Sequence, residues 1–360
     1  MSRYRIELAT PADDADLRRI LAATPMPGRI AVSFRREPSY FAAAEVDGHF
    51  RQVVAGRDLD TGRLVGFGSR SIRRVYVNGR PAEVGYLSAL RLLAEHRNLG
   101  LLARGYAYFR ELHADGRAAI YLTTIAEGND RALALLTSGR AGLPAYHPAG
   151  RYHTLAIAPY RLKMQRNVRP ATSDDLPAIR EFLLAHGASR QFFPCYDEED
   201  FFCRHSSLRG LRPEDLLLAW RDGWLVGTLG VWDQGDFRQT VVHGYHGLLR
   251  WARPLYNRWA GLRGRPSLPQ VGSPLRTRFA ALPVVANDDP AVLEALLDAV
   301  PPGGDYLLLG LHEGDPLLPA ARRRAALEYV TRLFIVCWDD GEACRRALDG
   351  RVPYLELGSL

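Results

Sequence analysis

Between Val84 and Gly116 the chain reads VGYLSALRLLAEHRNLGLLARGYAYFRELHADG, a stretch whose residue types and spacing suit it to holding phosphate. The apolar run Val84 to Leu93 gives way, across Glu95-His96-Arg97-Asn98, to apolar residues at helical spacing, Leu102, Tyr106, Phe109 and Leu112. That change of period predicts strand, turn and helix, with a stop near Gly116. The first amides of a helix lack intrahelical partners and carry the partial positive charge of the peptide dipoles, so such a turn attracts anions. Gly100, without a Cβ, lets a ligand approach the backbone, and Arg97 adds a full positive charge at the rim.

The elements around that turn follow from period and turn chemistry. Tyr4 to Leu8 is expected as a strand, and Thr10-Pro11-Ala12-Asp13-Asp14 as the start of a helix through Leu17, Ile20 and Leu21. Ser39 precedes a short helical segment with Phe41, Ala42 and Val46. Gln52 to Arg57 and Leu64 to Val77, about Asp60-Thr61-Gly62, predict an antiparallel hairpin, and Asn78-Gly79 is a two-residue turn into the next strand. Ala118 to Ile125, reached by a helical crossover, runs parallel to its predecessor. Asn129 opens a helix through Leu133 and Leu136 and reads on its own as an N-cap. Leu155 to Tyr160 is the last strand of this half.

A length of 360 residues favours two domains, and 47% hydrophobic content supports packed cores. No run approaches the roughly 18 uncharged apolar residues of a membrane span, and Met-Ser-Arg-Tyr-Arg-Ile-Glu lacks the apolar centre of a signal peptide, so a cytoplasmic location is expected. Cys195, Cys203, Cys337 and Cys344 form no C-x-x-C pair and read as reduced thiols. The net charge is +7, but Lys163 is the sole lysine among 47 basic residues and the arginines are spread along the chain, so nucleic acid is not an expected partner. A small, multiply charged anion suits the same charge.

Arg97-x-x-Gly100-x-Leu102 resembles the Arg/Gln-x-x-Gly-x-Gly/Ala signature of the GNAT superfamily of N-acetyltransferases, with Leu102 in the last position. Ala9-Thr10 with Asp13, and Asn129, Ala132 and Leu135, resemble two further segments of that superfamily. The resemblance implies an α/β (α+β mixed sheet) fold: a mostly antiparallel twisted sheet with a parallel, splayed strand pair flanked by helices. It implies acetyl-CoA as acyl donor, held by Leu90, Arg91 and Leu92, by Arg97, Asn98, Leu99, Gly100, Leu101 and Leu102, and by Asn129 and Ala132. The oxyanion donor is then an N–H in the Leu90 to Leu92 stretch. Arg35, Tyr40 and Ser88 are candidates to meet the acceptor, a small-molecule or peptide amine. Glu83 and Glu127, at strand ends, are the candidate bases, and Tyr86 could orient a water. Where the superfamily carries a tyrosine that protonates the leaving thiolate this chain has Leu136, which leaves Tyr146 or Tyr152 as the nearest donors. No Ser-His-Asp or Cys-His order suggests a covalent intermediate, so direct transfer in a ternary complex is expected. A non-catalytic acyl-CoA sensor or partner-binding protein is the alternative.

The beginning of the chain recurs. Ala171-Thr172 with Asp174-Asp175, Leu225-Val226-Gly227 and the run from Tyr306 repeat Ala9-Thr10, Leu64-Val65-Gly66 and the run from Ile120, at spacings of 162, 161 and 186 residues. Two tandem copies are expected, 1–160 and 169–360, joined by a linker at 161–168, with an insertion at about 232–274 in the second. In that copy Asn287-Asp288-Asp289-Pro290 opens the helix that follows the phosphate turn in the first, and its acids repel phosphate, so the copy is expected to be degenerate. The insertion carries Leu248, Trp251, Leu255, Trp259 and Leu262 at helical spacing among Arg250, Arg253, Arg258 and Arg263. This aromatic stripe is expected to pack into its own domain or a subunit interface, leaving a homo-oligomer open and giving no membrane partner. His243 and His246 lack an acidic or thiol companion, so no metal is expected.

Overall fold

The structure is a computed structural model that describes residues 3–28, 30–97, 99–140, 142–158, 165–203, 206–262 and 267–360, with the Leu99 side chain left out. Asn98 and residues 161–164 of the expected linker therefore lie outside the described residues.

Alternating apolar residues and tight turns build the first half as β1 (Tyr4–Leu8), α1 (Asp14–Ala23), β2 (Ile30–Arg35), α2 (Tyr40–Ala43), β3 (Phe50–Asp58), β4 (Leu64–Val77), β5 (Arg80–Leu92), α3 (Leu99–His113), β6 (Tyr121–Ala126), α4 (Asp130–Leu136) and β7 (Ala145–Ile157). Asn78 and Gly79, with φ of 52° and 77°, make the hairpin turn between β4 and β5 that their residue types predict. The second half follows as β8 (Val168–Pro170), α5 (Leu176–Gly187), β9 (Leu216–Arg221), β10 (Trp224–Trp232), β11 (Gln239–Tyr245), α6 (Leu249–Leu262), β12 (Pro274–Leu275), β13 (Thr277–Val285), α7 (Pro290–Asp298), β14 (Tyr306–His312), α8 (Leu318–Arg324), β15 (Ala325–Cys337) and α9 (Glu342–Arg346). At the start of each half the same capping box forms: Thr10 N–H donates to Asp13 and Thr172 N–H to Asp175, both at 2.8 Å.

One twelve-stranded sheet runs through the described chain in the order β1-β3-β4-β5-β6-β15-β7-β14-β13-β10-β9-β8. The last strand of each half has crossed to the other side: β15 lies against β6, and β7 lies against β14. Their mutual pairing, from Ala325↔Ile157 to Cys337↔Ala145, joins the halves through backbone hydrogen bonds. Period places a strand at Leu155, but β7 already begins at Ala145, because β15 pairs with it along its whole length, and the partner of a strand is decided by three-dimensional packing.

α1 buries Leu17, Ile20 and Leu21 against Val53, Ala55 and Phe67 on one face of the sheet. On the other face α3 buries Tyr106 and Phe109 beside Ile72, Leu87 and Tyr121. The far end of α3 is tied down by polar contacts. Arg70 on β4, almost wholly buried, donates to Asp115 at 2.7 and 2.8 Å, and His113 meets the Tyr121 hydroxyl at 2.9 Å and Asp340 at 2.9 Å. No described helix is long and apolar enough to cross a membrane, and all four cysteines are unpaired.

A small second sheet, β12-β11-β2, links the insertion to the first half through Gln239↔Arg35 to Tyr245↔Ile30. The aromatic stripe of α6 does not pack into its own domain, the first of the two coverings that its composition predicts: Leu248, Trp251, Leu255 and Leu262 are exposed in the single chain. On the inward face Leu249 and Tyr256 pack against Val242, Tyr245 and Leu268, and Ala260 is fully buried.

Candidate functional site

The parallel pair β5–β6 is bonded at only two positions, Gly85↔Tyr121 and Tyr86↔Leu122, and beyond them the strands part. Gly85 is needed where the fork closes, since a Cβ there would lie 2.0 Å from the Tyr121 ring. At the point of parting, side chains take over from the backbone ladder. Thr123 Oγ1 donates to the Leu87 carbonyl at 2.7 Å, and the Tyr86 hydroxyl meets Thr124 Oγ1 at 3.0 Å. Burial pushes Tyr86 up to about 12, so its hydroxyl stays neutral.

On its other edge β5 is bulged. The register with β4 shifts between Phe67↔Arg91 and Ser69↔Ser88, and Ala89 sits in the bulge with φ of 52°. A non-glycine residue in this region costs on the order of 1–3 kcal/mol, so the surrounding strands must enforce it. β13 repeats the feature: Leu282 has φ of 51° where the register with β10 shifts, and β13 pairs in parallel with β14 only from Thr277 to Phe279.

The two forks differ in what occupies them. In the second, Leu282 N–H donates to Glu356 Oε2 at 3.0 Å, and Tyr354 donates to the same oxygen at 2.7 Å. Burial raises the Glu356 carboxyl above the ordinary glutamate range, although both donors oppose it. The folded chain therefore favours the neutral acid, a preference without cost below the unfolded value near 4.3 and increasingly unfavourable as pH rises toward the folded value. Glu356→Gln should melt like the wild type near pH 4 and a few degrees above it at pH 7; a lower melting temperature at pH 7 would remove this account.

The helices after the forks differ likewise. α7 is capped by Asp289, whose carboxylate accepts from Ala291 N–H at 2.9 Å and pairs with Arg221 at 3.0 Å. α3 has no acid in its first turn, and Gly100 there is exposed. Arg97 is exposed beside it, its Nε 3.4 Å from the Leu92 carbonyl. Leu101 turns inward under Gly56 and Leu102 joins the core, so both support the turn from below. Leu90 and Leu92 continue β5 toward the turn. The Arg91 Nε is buried without a hydrogen-bond partner, and burial lowers its affinity for a proton.

The remaining sequence candidates are dispersed. Glu83 lies on the closed side of the fork in an exposed 3.3 Å pair with His49, and Glu127, at the open end of β6, pairs with Arg151 at 3.0 Å. Tyr146 is held by Tyr106 at 2.7 Å in the core between α3 and β7, where it also lines a cavity of about 530 Å³ that lies over β7 and β15. That cavity is separated from the fork by β6. Asn129 caps α4 by accepting from Ala132 N–H at 3.3 Å. Arg35 is exposed at the end of β2, and Ser88 is half-buried beside the bulge. Tyr40, expected at the acceptor surface, is instead fully buried, because its ring packs on Phe67 and its hydroxyl meets Ser69 at 2.9 Å.

Chains of known structure with a similar architecture include the N-myristoyltransferase of Saccharomyces cerevisiae with bound myristoyl-CoA, at a TM-score of 0.58 and 10% identity, over 93% of this chain and 83% of that one. A protein of unknown function from Enterococcus faecalis V583, described as a probable N-acyltransferase, aligns at 0.50 and 10% identity over 92% and 71%. The chain has the GNAT fold. No family model matches the sequence, and no curated protein does. Within this GNAT fold, sequence reading missed three features: the bulge at Ala89, the Glu356 plug, and a buried cluster of Arg36, Asp47 and Arg238. Only the Asp47-Gly48 pair, a turn signal, hinted at any of them.

Among the described residues, His147, Cys337 and Glu342 bring three metal-ligand types within 4.8 Å of one another. Arg345 and Arg346 hold Glu342 at 2.6 and 2.8 Å, and burial pushes the Cys337 thiol up to about 11. His243 is engaged with Ser33 at 3.2 Å.

Proposed function

We propose that the chain is an N-acyltransferase that moves an acyl group, acetyl in the first instance, from acyl-coenzyme A to the amine of a small molecule or peptide by direct transfer in a ternary complex. The observation that carries this reading is the open fork of β5 and β6, bulged at Ala89, leading into a helix whose first turn is exposed and free of acid. The diphosphate would take the amides around Gly100, with Arg97 at the rim. The pantetheine amides would pair with the edge of β5 beyond Leu87, where the backbone ladder with β6 has ended. By analogy with Leu282 N–H, which meets a carboxylate oxygen in the second fork, the amide of Ala89 is our choice of oxyanion donor.

In the reaction the amine nitrogen attacks the thioester carbon and the carbonyl electrons move onto oxygen. Collapse of that intermediate breaks the C–S bond, and the electron pair leaves on sulfur. The amine proton passes to water or to a carboxylate, and the neutral Tyr86 hydroxyl can orient that water through Thr124. Glu83 and Glu127 are both engaged in exposed ion pairs, which favours a second reading, acyl-CoA binding without turnover.

Appearance of free coenzyme A thiol, followed with acetyl and long-chain acyl donors against a panel of amines and N-terminal peptides, tests the proposal. Amine-dependent thiol release supports transfer. Saturable binding of the donor with no release under any amine leaves the non-catalytic reading, and absence of binding sinks both.

A further inference from the structure

We propose that the outer face of α6 docks on an anionic phospholipid surface. The helix is fixed in place from within: Asn257 exchanges hydrogen bonds with the backbone of Leu268 at 2.7 and 3.0 Å, Arg253 donates to the Leu268 carbonyl at 3.3 Å, and Ala260 is fully buried. Its orientation leaves Leu248 87%, Trp251 78%, Leu255 75% and Leu262 82% exposed, with Trp259 beside them. These residues recur three, four and seven apart, which puts them in one stripe along a helix about 21 Å long.

Charge decides what covers the stripe. Residues 243–265 hold five arginines and no aspartate or glutamate; Arg250 and Arg258 are exposed on α6, Arg253 turns inward to Leu268, and Arg263 and Arg265 lie outside the described residues. A second copy laid stripe to stripe would bring Arg250 and Arg258 of both copies together with no acid on the segment to pair with them. Nucleic acid would satisfy the arginines and leave the leucines and Trp251 in water. An anionic bilayer takes both: the apolar side chains enter the acyl boundary, tryptophan favours that depth, and guanidinium groups meet lipid phosphate. Because β11, just before α6, pairs with β2, the docked face is coupled through backbone bonds to the first half.

Flotation of the full chain with vesicles tests this. The chain should float with vesicles of phosphatidylcholine containing roughly one-third phosphatidylglycerol, bind phosphatidylcholine alone about tenfold less, and be released by high salt. The double variant Trp251→Ser with Leu255→Ser should lose about tenfold in bound fraction while keeping the wild-type circular dichroism and melting curve, as exposed positions allow. Leu248→Asp, at the other end of the stripe, should do the same, and Arg250→Glu with Arg258→Glu should abolish the preference for anionic lipid. Failure of the wild type to float overturns the proposal, as does flotation unaffected by the stripe variants. A wild-type dimer that these variants turn into a monomer, with no vesicle binding, assigns the face to a second copy and overturns it as well.

Discussion

Replacing Gly100 by Asp should leave the protein folded and lower its affinity for acyl-coenzyme A by thirtyfold to a hundredfold or more. Gly100 is exposed in the first turn of α3, so a new side chain meets solvent, and a negative charge at that position complements the helix dipole. The melting temperature without ligand should therefore hold or rise slightly. The same charge sits where a diphosphate would bind, and repulsion between them at a partly screened distance is worth about 2–3 kcal/mol, which gives the stated loss. The chain contains its own precedent, since Asp289 occupies the start of α7 and satisfies those amides with a carboxylate. Thermal shift titrated with coenzyme A compares the two directly. An affinity within about twofold of wild type would remove Arg97 to Leu102 from the site.

The largest loss of stability is expected from Asp47→Ala. Asp47 lies buried between two arginines, 3.0 Å from Arg36 Nη1 and in contact with Arg238 Nη2. Arg238 also donates to the carbonyls of Ala43, Gly358 and Leu360, so this one carboxylate joins the first half, the insertion and the final residues. Burial alone would raise its pKa, but Arg36 and Arg238 hold it below the ordinary aspartate value, while burial pushes Arg238 down to about 10. Removing the acid leaves two buried cations facing each other, a change that costs about 3–5 kcal/mol. For a chain of this size the melting temperature should fall by roughly 10 °C. The depressed folded value also fixes the pH dependence: the contribution of Asp47 is present above the unfolded value near 3.9 and is lost as pH falls through the folded value. Wild type and variant should thus converge in strong acid. A variant melting within about 2 °C of wild type at pH 7 would mean that the cluster is not an ion-paired unit.

How far the sequence reaches is visible at particular residues. The Asn78-Gly79 turn, the Thr10 and Thr172 caps, the inward Leu17, Ile20 and Leu21 of α1, and the Asp289 cap of α7 are all local matters, settled by hydrogen bonds and side-chain spacing within a few positions. Tyr40 and the stripe of α6 show where local pattern stops deciding, in opposite directions. Tyr40 is by position a candidate to meet the acceptor and is buried because Phe67 and Ser69, far along the chain, close over it. Trp251 and Leu255 carry the composition of a core and remain outside, because the inner face of α6 is already filled by Leu249, Tyr256 and Ala260.

The sequence by itself determined the order of strands and helices from β3 to α4, that β5 runs into a helix start without acids, and that the second helix start is sealed. Period, capping chemistry and charge act over one or two turns, and every such fact can be read from neighbours in the chain. Only the tertiary structure decided that β7 and β15 change places, that β5 parts from β6 after Tyr86, and that Glu356 arrives from the far end of the chain at Leu282. Those outcomes depend on which surfaces meet across tens or hundreds of residues. A strand's pattern says which face is buried, and it does not name the strand that will lie alongside.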